Sequence, residues 1–176
     1  MKILLHACCA NCLIYPHETL EKEGHEVFGL WYNPNIHPFT EYMRRLDAVR
    51  QYEKKTGLRI IYRDEYDLVR FLRGVAFRES ERCRFCYHMR LETAALTARH
   101  GDFDGFTSTL LFSKHQEHDL IRGIGESVGR RHGVDFLYED FREGWEHGRA
   151  RSQELGLYRQ QYCGCVYSEM ERYRGR

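Results

Sequence analysis

A chain of 176 residues with a net charge of +1 is long enough to bury a core without disulfides, and too weakly charged to indicate a nucleic-acid binder by charge alone. Its first residues lack the apolar centre of a signal peptide, and no segment approaches transmembrane length. We therefore expect a single domain over residues 1–176, located in the cytoplasm and making no membrane contact.

Short apolar runs alternate with helical patterns along the chain. Strands are predicted at residues 2–7, 25–32, 58–62, 105–111 and 136–138. Helices are predicted at residues 12–23, 41–56, 67–76, 86–100, 117–132 and 166–173. This alternation predicts an α/β fold with a parallel sheet of about five strands and helices on both faces. No element is predicted between residues 144 and 165, where the periodicity is weak.

Functional sites of parallel sheets lie at the carboxyl ends of the strands. The first strand ends at a cysteine-rich segment, residues 5–12, and the second ends at a loop, residues 33–38, that Pro34 and Pro38 stiffen. We expect these two segments to meet. His37 in this loop is a candidate proton donor, since histidine titrates near neutral pH.

All seven cysteines fall into three groups, and none stands alone. The groups are Cys8, Cys9 and Cys12, then Cys83 and Cys86, and finally Cys163 and Cys165. Clustered thiols in a reducing compartment bind metals or carry out redox chemistry more often than they form permanent disulfides, and an odd number argues against a disulfide framework. The chain is therefore expected to hold a metal or redox centre.

The spacing of the cysteines favours an iron–sulfur cluster over zinc. Binding of the adjacent Cys8 and Cys9 to one small tetrahedral ion is expected to strain the backbone, whereas a [4Fe-4S] cluster lets neighbouring thiolates bind different iron atoms. Such a cluster takes four cysteines, which leaves three for a second centre, either another metal or an electron-carrying dithiol. The alternative is a pair of zinc sites completed by a histidine, for which the candidates are His6, His37 and His88.

Arginine dominates the basic residues, since only five of the 27 are lysines. The guanidinium group suits phosphate binding and base stacking, so part of this set is a candidate RNA-binding surface. The candidates are Arg44, Arg45, Arg50, Arg149, Arg151, Arg159, Arg172, Arg174 and Arg176. The alternative is a composition bias without a role in binding.

Five segments carry a family resemblance in their order along the chain. They read HACCANC at residues 6–12, YNPNIHP at 32–38, CRFCYHMRL at 83–91, FTSTLL at 106–111 and GLYRQQYCGC at 156–165. Together they resemble the cobalamin-independent, iron–sulfur epoxyqueuosine reductases of the QueH type. One departure is that Ala10 and Asn11 stand where that family usually has Gly-Pro, which leaves every thiol in place.

The resemblance implies a fold like that of the adenine-nucleotide α-hydrolases and an oxidoreductase activity. The implied reaction is the two-electron reductive deoxygenation of epoxyqueuosine to queuosine at the wobble position of a tRNA, the last step of queuosine biosynthesis. The implied partners are that tRNA and an electron donor of unknown identity. Cys8, Cys9, Cys83 and Cys86 would bind a [4Fe-4S] cluster.

The remaining thiols would serve the second centre. Cys163 and Cys165 would be a redox-active pair or, with Cys12, ligands of an adjacent mononuclear iron, so that all seven cysteines are candidate metal ligands. His37 would protonate the departing oxygen. The alternative function is a zinc-stabilised tRNA-binding module without catalysis. ATP use is not expected, because residues 6–12 contain neither the glycine nor the serine of a phosphate-binding loop.

Overall fold

The computed structural model describes residues 1–175, so Arg176, one of the candidate RNA contacts, lies outside the described residues. Its strands are β1 (Lys2–His6), β2 (Glu26–Trp31), β3 (Ile60–Tyr62), β4 (Gly105–Ser108) and β5 (Asp135–Phe136). They form one sheet in the order β3-β2-β1-β4-β5, and every pairing is parallel. The predicted α/β class with a parallel sheet is confirmed.

Helices connect the strands and cover the sheet. They are α1 (Ala10–Lys22), α2 (Phe39–Thr56), α3 (Leu68–Val75), α4 (Arg82–His100), α5 (His118–His132), α6 (Trp145–Glu154) and α7 (Val166–Arg174). The sheet is extended in opposite directions from β1, so right-handed crossovers place α1 and α2 on one face and α4 and α5 on the other. Within residues 1–175 no helix combines the length and apolar character needed to cross a membrane.

The central strand β1 forms the middle of the core. Ile3, Leu4 and Leu5 are fully buried, as expected for a parallel strand covered on both faces. One cluster of buried apolar side chains extends from β1 to the helices on both sides. The carboxyl end of β1 is thereby fixed between β2 and β4, where the site forms.

Three elements differ most from the sequence prediction, one of them α4, which begins at Arg82 rather than at residue 86. Helix α6 was not predicted, because its buried face carries only Gly148 and Ser152 and no apolar stripe. A Cβ at position 148 would lie 2.8 Å from the Phe112 ring, so a small residue is needed for this close approach. The predicted fourth strand ends early, at Ser108, because the Ser108 Oγ accepts the N–H of Leu110 at 3.2 Å and starts a 3₁₀ turn.

We expect Leu4→Ala to lower the free energy of unfolding by about 2–5 kcal/mol, because the truncation leaves a cavity in the centre of the core. Urea unfolding followed by far-ultraviolet circular dichroism measures the change. Leu72→Ala, which removes the same atoms from an exposed position on α3, is the matched control and should cost clearly less. Equal losses in the two variants would contradict the assigned core.

Candidate functional site

Three segments meet at the carboxyl end of the sheet. The backbone N–H of Cys8 donates to Thr109 Oγ1 at 2.9 Å, and Asn33 Nδ2 donates to the carbonyl of Ala7 at 2.9 Å. The segment after β1, the loop after β2 and the turn after β4 are thus joined, and the two segments expected to meet do so. A cavity of about 550 Å³ lies here, and its lining contains thiols of all three cysteine groups: Cys8, Cys12, Cys86 and Cys163.

Cys8, Cys9 and Cys12 form a compact triad, with all three sulfur atoms within 4.8 Å of one another. In residues 1–175 no other group of three His, Cys, Asp or Glu ligand atoms is as close. Cys9 caps α1, and its Sγ accepts the N–H of Cys12 at 3.3 Å. Thiolates around one tetrahedral ion are separated by about 3.8 Å, given metal–sulfur bonds of about 2.3 Å. The triad therefore has nearly the spacing of a single-metal site, although Cys8 and Cys9 are adjacent.

The ionisation of the triad favours a bound cation. Hydrogen bonds with Cys12 and Cys9 hold the pKa of Cys8 well below its usual value. The same contacts raise the pKa of Cys12, and burial raises the pKa of Cys9. One thiolate is thus stabilised while its two neighbours stay protonated. A metal ion would allow all three to bind as thiolates.

The other four cysteines form a second, wider group. Cys83 and Cys86 lie at the start of α4, and Cys163 and Cys165 lie just before α7. Burial, together with repulsion from the other three thiols, raises the pKa of Cys83 to about 11. Cys163 is exposed, yet desolvation of its thiol and repulsion from Cys86 raise its pKa to about 11. In the described chain no three of these four sulfur atoms lie within 4.8 Å of one another.

Side-chain amides donate to thiols of both groups. Gln160 Nε2 lies 2.9 Å from Cys9 Sγ and 3.6 Å from Cys12 Sγ. Asn35 Nδ2 lies 3.1 Å from Cys86 Sγ, and Gln116 Nε2 lies 3.2 Å from Cys163 Sγ. Such N–H donors stabilise thiolates. The sequence analysis missed them, although Asn35 and Gln160 lie inside two of the five recognised segments.

Two buried guanidinium groups lie beside the thiols. Arg90 is 4% exposed and donates to Asn35 Oδ1 at 2.7 and 3.1 Å, with no acidic partner among the described residues. Arg45 is 2% exposed, pairs with Glu41 at 2.7 Å, and donates to the carbonyl of Cys163 at 2.7 Å. The prediction that Arg45 lies on an RNA-binding surface is therefore wrong. Both charges suit an anionic, thiolate-bound centre.

His37 is buried and holds the last cysteine pair. Its backbone N–H donates to the carbonyl of Gly164 at 2.7 Å, and its Nδ1 accepts the N–H of Val166 at 3.2 Å. Burial lowers the pKa of His37 to about 4, so the ring is neutral at neutral pH, and it does not line the cavity. This geometry favours a positioning role, and the role of proton donor stays a prediction.

The histidines considered as zinc ligands do not complete the triad. Both ring nitrogens of His6 are occupied, by Ser108 Oγ at 2.9 Å and by the Tyr32 carbonyl at 3.1 Å. His88 is exposed and lies 3.9 Å from Glu92. Within residues 1–175 no histidine nitrogen lies within 4.8 Å of all three triad sulfurs. The donor set around the cavity is thus sulfur, which suits iron–sulfur chemistry.

The mouth of the cavity is basic and aromatic. Arg149, Arg159 and Arg172 line it and are exposed. Phe112 and Trp145 also line it, with their rings stacked at 5.5 Å between centroids. Three of the candidate RNA-binding arginines therefore lie at the entrance to the thiols.

Comparisons with known proteins agree with this site. The family described as "Epoxyqueuosine reductase QueH" matches residues 3–171. Relatives named epoxyqueuosine reductase QueH include one from Dehalococcoides mccartyi, 42% identical over 98% of this chain and 94% of its own length. Another, from Thermotoga maritima, is 34% identical over 97% of this chain and 91% of its own length.

A solved structure supports the fold alone. A predicted subunit of a tRNA methyltransferase from Methanocaldococcus jannaschii aligns with a TM-score of 0.54 at 12% identity, covering 86% of this chain and 75% of that one. The expectation of an oxidoreductase is confirmed by the family match and by the named relatives. The chain belongs to the epoxyqueuosine reductase QueH family.

Proposed function

We propose that this protein reduces the epoxide of epoxyqueuosine at the wobble position of a tRNA and so forms queuosine, the last step of queuosine biosynthesis. The observation that carries the proposal is the convergence of all three cysteine groups on one cavity, in a chain of this family. A volume of about 550 Å³ falls in the range of small-molecule sites and suits a modified nucleoside. A cytoplasmic location stays a prediction.

The chemistry requires electrons and protons in equal number. Conversion of an epoxide to an alkene breaks both C–O bonds, consumes two electrons and two protons, and releases the oxygen as water. Thiolate-bound iron, when present, would supply the electrons and a Lewis acid for the oxygen. The donor set fits such a centre, because reduced thiols, amide N–H groups and buried guanidiniums surround one cavity.

The geometry supports a division of the thiols into three and four. The compact triad, Cys8, Cys9 and Cys12, has the spacing of one metal ion, and we assign to it the mononuclear iron. The wider group supplies the four thiolates that a [4Fe-4S] cluster takes. The sequence-based assignment, with Cys8 and Cys9 on the cluster, remains the alternative.

The chain's own residues position the thiols and the substrate. Gln160 and Asn35 fix thiols of the two groups through hydrogen bonds, and Arg90 fixes Asn35 in turn. Arg45 holds the carbonyl of Cys163 and so fixes the loop before α7. At the mouth, the exposed arginines are placed to bind tRNA phosphates, and the half-buried Trp145 ring, which packs on the buried Phe112, offers a surface for a base.

Anaerobically prepared enzyme, supplied with dithionite, should convert tRNA that carries epoxyqueuosine. Mass spectrometry of the digested nucleosides should show queuosine, which is lighter by one oxygen atom. A metal-chelated sample of the same protein is the control. Iron-free protein that still forms queuosine, or zinc-bound, colourless protein without activity, would contradict the proposed function and favour the zinc-stabilised binding module.

The division of the thiols predicts different iron losses in two matched variants. Cys12→Ala should lose one iron atom per chain and keep the visible absorption of the cluster, because its thiol belongs to the triad. Cys163→Ala should lose much of that absorption and the acid-labile sulfide. Iron and sulfide analysis with absorption spectra measures both. Loss of one iron atom with the cluster absorption retained in both variants would support the sequence-based assignment instead.

Arg149→Gln should weaken tRNA binding and reduce the salt slope of the affinity by about one, because one phosphate contact is lost. Fluorescence anisotropy with labelled tRNA at several salt concentrations measures this change. Arg99→Gln, at an exposed position in the last turn of α4, is the matched control and should leave the slope unchanged. Equal effects in both variants would show that the mouth of the cavity is not the tRNA-binding surface.

A further inference from the structure

A second surface feature lies outside the cavity, on α3 and the segment that follows it. Three apolar side chains are exposed there: Val69 at 55%, Leu72 at 38% and Phe77 at 99%. Three arginines, Arg70, Arg73 and Arg78, are exposed on the same short stretch. We call these six residues the α3 patch. A group of exposed apolar side chains with a charged rim is typical of a protein-binding surface.

The backbone at Phe77 is unusual and keeps the ring in solvent. Phe77 has a φ of +60°, in the left-handed region that bulky residues rarely adopt. Its N–H donates to Glu79 Oε1 at 3.1 Å, which fixes the turn. A strained residue with a fully exposed aromatic ring contributes nothing to the core, so a binding role accounts for the arrangement.

The arginines of the α3 patch carry uncompensated charge. Within residues 1–175, Arg70, Arg73 and Arg78 form no ion pair, whereas the neighbouring Arg82 and Arg84 pair with Glu171 and Glu81. The nearest acids in the sequence, Asp67 and Glu79, accept backbone N–H groups, those of Arg70 and Phe77. A partner for this patch should therefore be acidic.

The α3 patch adjoins the wider thiol group through the packing of α3 on α4. Helix α3 packs on α4, with Gly74 directly against the ring of Phe85, which lies between Cys83 and Cys86 in the sequence. Phe71 of α3 also contacts Tyr167 of α7, with 6.4 Å between ring centroids. No residue of α3 lines the cavity. The patch thus approaches the thiols without occupying the substrate entrance.

We propose that the α3 patch docks a small acidic protein that carries single electrons, and that electrons enter the thiol-bound centre through the start of α4. The inference rests on the proposed function, which needs an external donor. Each carrier is oxidised by one electron, so two carriers dock in turn for every epoxide that takes up two electrons and two protons and releases water. Transient electron-transfer complexes use small interfaces of this kind.

The features of the α3 patch favour a protein over RNA or a second copy of the chain. Phe77 is the one aromatic ring of the patch, Val69 and Leu72 are aliphatic and add no stacking surface for bases, and exposed arginines for RNA already line the cavity mouth. A second copy would bring the same three unpaired arginines against each other. An acidic protein whose contact surface has an apolar centre is complementary to both the charged rim and the apolar centre of the patch.

The test compares a protein donor with a small reductant on the same iron-loaded enzyme. The probe is a plant-type [2Fe–2S] ferredoxin, an acidic protein, and dithionite is the small reductant. The variants are Arg73→Glu and Phe77→Ala, with Phe77→Leu as the conservative change. The matched control is Arg130→Glu, at an exposed arginine of α5 beside Met1. Stopped-flow absorbance follows ferredoxin oxidation, and calorimetry measures ferredoxin binding.

Arg73→Glu and Phe77→Ala should slow electron transfer from ferredoxin about tenfold and weaken ferredoxin binding, with a reduced salt dependence for Arg73→Glu. Dithionite-driven activity and tRNA affinity should stay unchanged, and Phe77→Leu and Arg130→Glu should behave like the wild type. Oxidation of ferredoxin at the wild-type rate by both patch variants would overturn the proposed docking site. Loss of tRNA affinity or of self-association, with ferredoxin binding unchanged, would also overturn it. Failure of the wild type with dithionite would overturn the proposed function, and the binding measurement would still decide the docking site.

Discussion

The structure brings seven thiols together at the carboxyl end of the sheet, where any thiolates that form add negative charge. Hydrogen bonds between the thiols raise the pKa of Cys12 and lower that of Cys8, burial raises the pKa of Cys9, and repulsion from Cys8 adds to both increases. The fold places positive charge at fixed positions beside the thiols. Arg45 and Arg90 bring buried guanidiniums to the site, and only Arg45 has a carboxylate partner in the described chain. Arg90 is therefore left to balance an anionic centre.

The third cysteine group depends on contacts with distant parts of the chain. Cys163 and Cys165 lie in a segment without regular structure, where the Ser168 hydroxyl forms local hydrogen bonds with Gly164 and Cys165 but not with Cys163. Arg45 binds the carbonyls of Tyr162 and Cys163, and His37 contacts the backbone on both sides of Cys165. The rigid loop after β2 and the start of α2 thereby determine where these thiols lie. The buried, neutral His37 makes sense as part of this support.

The features that could be predicted from the sequence are those that depend on short-range patterns. The apolar run of β1, the alternation of strands and helices, and the grouping of the thiols all follow from short-range patterns, and the structure agrees with each. Helix α6 has no apolar stripe, because Gly148 and Ser152 form its buried face, so periodicity could not show it. The grouping of Cys12 with Cys8 and Cys9 depends on how α1 begins. The donors Asn35 and Gln116 reach their sulfurs across large sequence separations, which no local pattern records.

The cavity mouth and the α3 patch are separate surfaces, which suits a reaction in which electrons arrive after the substrate has bound. In the proposed reaction, a tRNA bound at the basic mouth would cover the entrance, so electrons that arrive while the substrate is bound would have to enter elsewhere. Helix α4 provides that second approach, because its first turns carry Cys83 and Cys86 while Phe85 packs on α3. A donor that delivers one electron at a time must also leave and be replaced within a turnover. A small basic patch with a single prominent aromatic ring favours such brief contacts over a permanent complex.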